Sequence, residues 1–291
     1  MNAILFPGQG SQKVGMGHEI LAQFAPAQEI FERANAVLGY DLRALCFEGP
    51  EETLKDTLHS QPALLTVGYI HFQAAKANGL QANVTAGHSL GEYTALVAAG
   101  ALEFEDALRL VQQRAQMMSQ APEGAMAALI GLPDENLDAV LAAASEVAQV
   151  VAANFNSPGQ VVVSGAPAAV EAAMKEAKSN GAKLAVKLPV SGAFHSPLME
   201  QAGEKMAALI DAAPFADAQI PVYQNTTAKP ATAAADLRAA LRPQMTSAVQ
   251  WTQSVQNMIS DGATHFIELG PGTVLTGLVK RIDKSATLEN L

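Results

Sequence analysis

The chain holds a single cysteine, Cys46, so no internal disulfide framework can form and a reducing compartment suits it. No window supplies the roughly 18 uncharged apolar residues that a membrane-spanning helix needs. The opening stretch "MNAILFPGQGSQ" places no basic residues ahead of a long apolar run, so no signal peptide is expected. The expectation is a cytoplasmic protein. Charge is also sparse, at 16% of residues against 49% hydrophobic ones, which suits a folded enzyme and argues against disorder. Basic residues are in the minority: 18 Lys and Arg face 28 Asp and Glu, for a net charge of −10. That balance disfavours nucleic acid as the main partner. It would also repel an acidic protein, unless cations such as Lys175, Lys178, Lys183, Lys187, Lys280, Arg281 and Lys284 are gathered locally.

A chain of 291 residues can bury a large core, as one domain with an insert or as two domains. Short apolar runs alternate with helix-like stretches, the pattern of a mainly parallel sheet covered by helices. "NAILFPG", "ANVTAGHS" and "THFIELGPG" read as strands. Helices are predicted over 61–79, with Pro62 in the first turn, over "LGEYTALVAAG" and over "TVLTGLVKRI". Residues 125–193 follow another plan. Strand "AMAALIGL", helix "DENLDAVLAAASEV", strands "QVVAANF" and "QVVVSG" about the turn "NSPG", helix "AAVEAAMKEAKSNG" and strand "AKLAVKL" make a β-α-β-β-α-β series. That order is the ferredoxin-like motif. The fold expected is therefore α/β: a mainly parallel large domain over 1–124 and 194–291, with a small ferredoxin-like subdomain inserted at 125–193. The alanine- and proline-rich stretch from Ala212 to Arg242 reads as a loop with a short helix, and there is no internal repeat.

Chemistry centres on "GHSLGEY" (87–93). A serine between two glycines, set between a predicted strand and a predicted helix, is the pattern of a nucleophile elbow. The glycines relieve crowding in the turn, and Ser89 lies where free helix N–H groups can hold an oxyanion. The plainer alternative is a packing serine in a tight turn. A serine hydroxyl needs a base within reach. Of six histidines, His88 adjoins Ser89, and the side chains of neighbours diverge at such a turn. His18, His59 and His71 sit in or beside predicted helices, and His265 lies within a strand. His195, in "GAFHSPLM", follows a glycine-containing loop and precedes a helix start capped by Ser196 with Pro197 next, so it is the candidate base. No acid between Ser89 and His195 occupies an obvious post-strand loop; a backbone carbonyl could orient the ring instead, by accepting the hydrogen bond from its other nitrogen.

The helix "LEFEDALRLVQQRAQMMSQ" carries two arginines. Arg109 can pair with Glu105 four residues earlier. Arg114 instead shares a face with Ala107, Val111 and Met118 and has no acid three or four residues away. A buried guanidinium is costly unless an anion meets it. That anion is either a distant carboxylate of the protein or a substrate carboxylate held by the guanidinium fork. Beside a serine acyl-enzyme, the second reading implies a dicarboxylic half-thioester as acyl donor.

Eight segments in order, "FPGQGSQ" (6–12), "HSQPAL" (59–64), "GHSLGEY" (87–93), "QQRAQMM" (112–118), "NFNSPGQVVVSG" (154–165), "GAFHSPLM" (192–199), "VQWTQSV" (249–255) and "ELGPGTVLTGLVKRI" (268–282), together resemble the malonyl-CoA:acyl-carrier-protein transacylases over nearly the whole chain. The resemblance implies a hydrolase-like α/β domain with a ferredoxin-like insert. It also implies a ping-pong transfer of malonyl from malonyl-CoA to the phosphopantetheine thiol of acyl carrier protein through an ester on Ser89, supplying fatty-acid biosynthesis with no cofactor or metal. By the same resemblance His195 is base and acid, and the Gln244 carbonyl orients it. The N–H groups of Gln9 and Leu90 form the oxyanion hole, and Arg114 holds the malonyl carboxylate. His88, Asn156 and Phe194 are further substrate contacts, the phenylalanine crowding out a branched methylmalonyl group. Ala248 stands where the family usually has proline before "VQW", in the loop that carries Gln244. The family's carrier protein is acidic, which implies a basic docking patch; Lys187, Lys280, Arg281 and Lys284 are its candidates.

Two rival enzyme readings remain, the first with the same nucleophile and base and the second on a different segment. A serine thioesterase would pass the acyl group to water. "FIELGPGTVLTGL" resembles the glycine-rich turn of S-adenosylmethionine methyltransferases, but Val274 replaces the third glycine and only 17 residues follow Val274. A non-catalytic docking module is the remaining class.

Overall fold

The computed structural model describes residues 1–190 and 192–291. The chain opens with β1 (Asn2–Phe6) and four short helices, α1 (His18–Gln23), α2 (Ala27–Leu38), α3 (Leu42–Glu48) and α4 (Glu51–Lys55). The long α5 (Thr57–Ala77), β2 (Val84–Gly87), α6 (Gly91–Ala98) and α7 (Phe104–Ser119) follow. Next come β3 (Ala125–Ile130), α8 (Leu137–Ser145), β4 (Val150–Ser157), β5 (Gln160–Gly165), α9 (Pro167–Ser179) and β6 (Leu184–Lys187). The last part holds α10 (Glu200–Ala212), β7 (Val222–Tyr223), β8 (Pro230–Ala231), α11 (Ala234–Leu241), α12 (Trp251–Ser260), β9 (His265–Glu268), α13 (Val274–Ile282) and β10 (Thr287–Asn290).

Two sheets result. The larger runs β10-β9-β1-β2-β7-β8 and is parallel except for β8. β1 lies inside it, and its side chains alternate between two cores: Ile4 and Phe6 face α5 and α6, while Ala3 and Leu5 pack with Trp251, Val255 and Leu275 from α12 and α13. A central parallel strand buried on both faces reads as an unbroken apolar run for this reason. The smaller sheet is antiparallel, in order β4-β5-β3-β6, with α8 and α9 on one face. The loop before α12 ties the two parts together, since Val249 exchanges backbone hydrogen bonds with Ala153 and Phe155 of β4.

Three local readings are corrected. α5 begins at Thr57, because the Asp56 carboxylate caps Leu58 N–H at 2.7 Å, and Pro62 lies inside the helix. The Leu58 carbonyl that proline leaves unbonded sits in the exposed first turn, so the loss is small. The stretch from Ala212 to Arg242 holds more than a loop and a helix: β7 enters the parallel sheet beside β2, defined by pairing of Val222 and Tyr223 with Thr85 and Ala86. Arg109 pairs with Asp106 at 2.9 Å, because Glu105 is taken by both arms of Arg33 from α2.

Candidate active site

β1 and β2 end side by side, and the turn after β2 has little room. A Cβ on Gly87 would lie 1.9 Å from the Gly91 carbonyl carbon, and one on Gly91 would lie 2.0 Å from the Phe6 carbonyl oxygen. Only glycine fits at either place. Between them Ser89 adopts φ 51°, in the left-handed region that a side chain rarely occupies. Asn225 holds it there from the segment after β7: its amide oxygen accepts the Ser89 N–H at 2.7 Å, and its amide nitrogen donates to the Gly87 carbonyl at 2.7 Å.

Ser89 Oγ lies 2.7 Å from His195 Nε2. On the other side of the ring, Nδ1 lies 2.9 Å from the Gln244 carbonyl and 3.1 Å from that of Ser247. Carbonyls only accept, so Nδ1 carries the proton and Nε2 offers its lone pair to the serine hydroxyl. Burial and the nearby Arg114 charge push the imidazole down to about 3, against the two carbonyls that pull it up. His195 is therefore neutral at physiological pH. Its backbone is also left-handed (φ 58°), and its N–H is tied to the Met245 carbonyl at 3.1 Å. Ser196 caps a single 3-10 turn, Pro197–Met199, that leads into α10.

Arg114 is 1% exposed. It donates to the Gln61 side-chain oxygen at 2.5 Å, to Ser89 Oγ at 3.0 Å and to the Gln244 side-chain oxygen at 3.2 Å, and its guanidinium stands 5.6 Å from the Tyr93 ring centre. Among the described residues no carboxylate pairs with it, and its Nε has no partner. A fully buried cation is thus met only by amides, a hydroxyl and a ring face.

Ser89, His195 and Arg114 face one cavity of about 350 Å³, walled by apolar groups including Met118, Met126 and Leu188. Gln9 and Leu90 line it too, and among the described residues neither backbone N–H has a hydrogen-bond partner. Two free donors beside a hydroxyl that faces the cavity are what an oxyanion needs. Phe194 forms part of the wall, and Gly192 makes room for its ring, since a Cβ there would lie 2.5 Å from it. His88 reaches the cavity, held by Asn156 at 2.8 Å, while burial keeps its ring below the usual histidine range. Asn156 stands behind His88, and the asparagine on the cavity wall is its neighbour Asn154.

Sequence reasoning passed over several residues here. Gln61, Glu92 and Asn154 were visible only as members of motifs with no role of their own, and Asn225 lay outside every motif. The other histidines lie elsewhere: His18 packs edge-on to Phe47, His59 to Tyr40, and His265 meets Glu289 at 3.1 Å. The basic candidates are not gathered in one place. Lys187 is on β6 and pairs with Glu171, whereas α13, carrying Lys280 and Arg281, packs at the opposite edge of the small sheet against β4. The glycine-rich turn before α13 has a structural explanation. The Glu268 carboxylate accepts from Leu275 N–H at 3.0 Å and Thr276 N–H at 2.8 Å, filling the helix N-terminus that a ligand phosphate would need.

A parallel α/β sheet with a histidine-paired serine on a strand-to-helix turn defines a class, the enzymes that carry acyl groups on serine. The comparisons with known proteins narrow it. The acyl transferase domain family matches residues 4–289. The malonyl CoA-acyl carrier protein transacylase of Bacillus subtilis is 46% identical over 286 residues, 97% of this chain and 90% of the relative. An acyl carrier protein S-malonyltransferase from Vibrio cholerae superposes with a TM-score of 0.96 at 44% identity, covering 100% of this chain and 96% of that one. A malonyl-transacylase solved in complex with a type II PKS acyl-carrier protein gives 0.95 at 41% identity, covering 99% and 94%. The chain belongs to the malonyl CoA-acyl carrier protein transacylases within the acyl transferase domain family, and it is an acyltransferase.

Proposed function

We propose that this enzyme moves malonyl from malonyl-CoA to the phosphopantetheine thiol of an acyl carrier protein, through a malonyl ester on Ser89, as a supply step for fatty-acid synthesis. Neutral His195 takes the hydroxyl proton at Nε2 as Ser89 Oγ attacks the thioester carbonyl. The carbonyl oxygen becomes anionic and is held by the N–H groups of Gln9 and Leu90. The C–S bond then breaks, and His195 returns the proton to the departing CoA sulfur. The carrier's thiol next gives its proton to His195 and attacks the ester. Ser89 leaves as the hydroxyl, recovering the proton. Gln244 keeps the ring in the required tautomer through its carbonyl. Arg114 turns its fork onto the malonyl carboxylate, His88 with Asn156 behind it contacts the acyl unit, and Phe194 leaves no space for a methyl branch. So written, the reaction calls for no cofactor.

The observation that carries this reading is a buried guanidinium 3.0 Å from Ser89 Oγ with no carboxylate partner among the described residues. The β-α-β-β-α-β order of the small sheet supports a ferredoxin-like subdomain over 125–193, inserted into a hydrolase-like domain over 1–124 and 194–291. No described helix is long and apolar enough to cross a membrane, and a cytoplasmic setting fits the single buried cysteine. The test is to mix the protein with malonyl-CoA, quench in acid and weigh it. One malonyl ester on the peptide containing Ser89, discharged by added carrier protein, is expected. Rapid release of free malonate with no adduct would assign a thioesterase instead.

A further inference from the structure

Glu92 is a fully buried carboxylate that none of these steps uses. It sits in the first turn of α6, three residues beyond Ser89. One oxygen accepts the Asn225 N–H at 3.2 Å and the other accepts the Gln244 side-chain N–H at 2.5 Å. The same amide nitrogen donates to the Ser89 carbonyl at 2.9 Å, and the amide oxygen accepts from Arg114 at 3.2 Å. Every direction in this chain is forced. A guanidinium and a backbone N–H can only donate, so the amide has one workable orientation, oxygen toward Arg114 and nitrogen toward Glu92. A buried acid beside a buried arginine would ordinarily form an ion pair, and here a single amide stands between them.

We propose that Glu92 is a positioning residue for malonyl selectivity: it locks the Gln244 amide so that Arg114 meets an amide oxygen rather than a carboxylate, leaving its charge for the substrate. The proposal rests on Arg114 as the carboxylate clamp. Burial raises the Glu92 carboxyl to about 7, while both donated hydrogen bonds and the Arg114 charge favour its ionised form.

Glu92→Gln tests it without changing shape. Glutamine offers one oxygen where two donors converge, so one donor faces another; turning the Gln244 amide over relieves this only by aiming its NH2 at the guanidinium. The expected result is a KM for malonyl-CoA raised about tenfold. The kcat should change by less than about threefold, since binding rather than proton transfer is disturbed. Thermal stability should fall as well. The swap Glu92→Gln with Gln244→Glu separates the two effects. It restores donor to acceptor between the residues but gives Arg114 a direct carboxylate partner, and the Gln244 backbone carbonyl remains for His195. The thermal midpoint should recover only part of the loss, because a carboxylate oxygen at position 244 also faces the Ser89 carbonyl to which the amide nitrogen donated, while KM stays about tenfold high or higher. An unchanged or lowered KM in folded Glu92→Gln would overturn the proposal, as would a swap in which KM recovers together with stability. If Glu92→Gln does not fold, the swap alone decides. Arg114→Ala separates the layers: no effect on malonyl-CoA kinetics removes the clamp itself, whereas a large effect there with none from Glu92→Gln removes only the role of Glu92.

Discussion

Replacing Arg114 by alanine tests the electrostatic reading most directly. The side chain is 1% exposed and donates to Gln61, Ser89 and Gln244, so a malonyl carboxylate arriving there meets a cation already stripped of water. Removing one partner of a buried, hydrogen-bonded charge pair costs about 2–5 kcal/mol. At ~1.4 kcal/mol per tenfold, kcat/KM for malonyl-CoA should fall by roughly 30-fold to a few thousandfold. Lysine keeps the charge but not the two-pronged geometry and should recover only part of this loss. The assay is initial transfer to carrier protein from malonyl-CoA and, in parallel, from acetyl-CoA. Acetyl has no carboxylate, so its rate should stay or rise. The parallel matters because Arg114 also touches Ser89 Oγ. Equal losses with both donors would make Arg114 a prop for the serine and refute the clamp; no loss with malonyl-CoA would refute it outright.

Two further perturbations follow from the same geometry. His195 is held down to about 3 by burial and by Arg114, and acylation needs it neutral, so kcat/KM for malonyl-CoA should not bend near pH 6.5 as the pH falls. Arg114→Gln removes one of those two causes and should move the acid limb upward; a bend near 6.5 in the unaltered protein would contradict the burial argument. Stability carries the matching sign. The unfolded imidazole binds its proton near 6.5 and the folded one only near 3, so the His195 contribution declines as pH falls between those values. Glu92, raised to about 7, acts oppositely over an overlapping range, so urea midpoints are compared between wild type and His195→Gln at each pH. A gap between them that does not change with pH would refute the assignment. Finally, Gly91→Ala sets a Cβ 2.0 Å from the Phe6 carbonyl oxygen, a backbone clash that should cost roughly 1–3 kcal/mol or more. A near-normal thermal midpoint would refute the account of the turn.

What could be read beforehand depended on how local each signal is. Ser89, His195 and Arg114 announce themselves by short-range chemistry: a glycine-flanked serine, a histidine ahead of a Ser-Pro helix start, and an arginine on an apolar face. β3 to β6 and their two helices were legible because each has a clear period and turn. β7 was not, since two residues become a strand only by lying against β2. Gln61, Asn225 and Glu92 stayed hidden for the same reason. Their roles arise from partners 53, 136 and 152 positions away, and an amide in a helix or loop has no period that reveals what it will face. The Arg109 misreading shows the limit from the other side. Glu105 is four residues away, but a bidentate arginine from α2 competes for it and holds it with two hydrogen bonds.

Among the described residues, three non-glycines have left-handed φ: Ser89, His195 and Ala228. Such a backbone costs on the order of 1–3 kcal/mol per residue and persists only where the surroundings over-determine it. The first two are the serine and histidine that meet in the cavity. The third closes the turn after β7, where Ala228 N–H bonds to the Gln224 carbonyl, and that turn presents Asn225, whose amide fixes Ser89. His195 is held in turn by Met245 and Gln244, and Gln244 reaches back to Ser89 and Glu92. The geometry of the elbow is therefore not a property of "GHSLGEY" alone. The glycines make room for it, but residues from the last third of the chain supply the bonds that hold it. A related sequence could keep all seven residues of that motif and still lose the alignment of hydroxyl and imidazole if the turn at 224–229 changed.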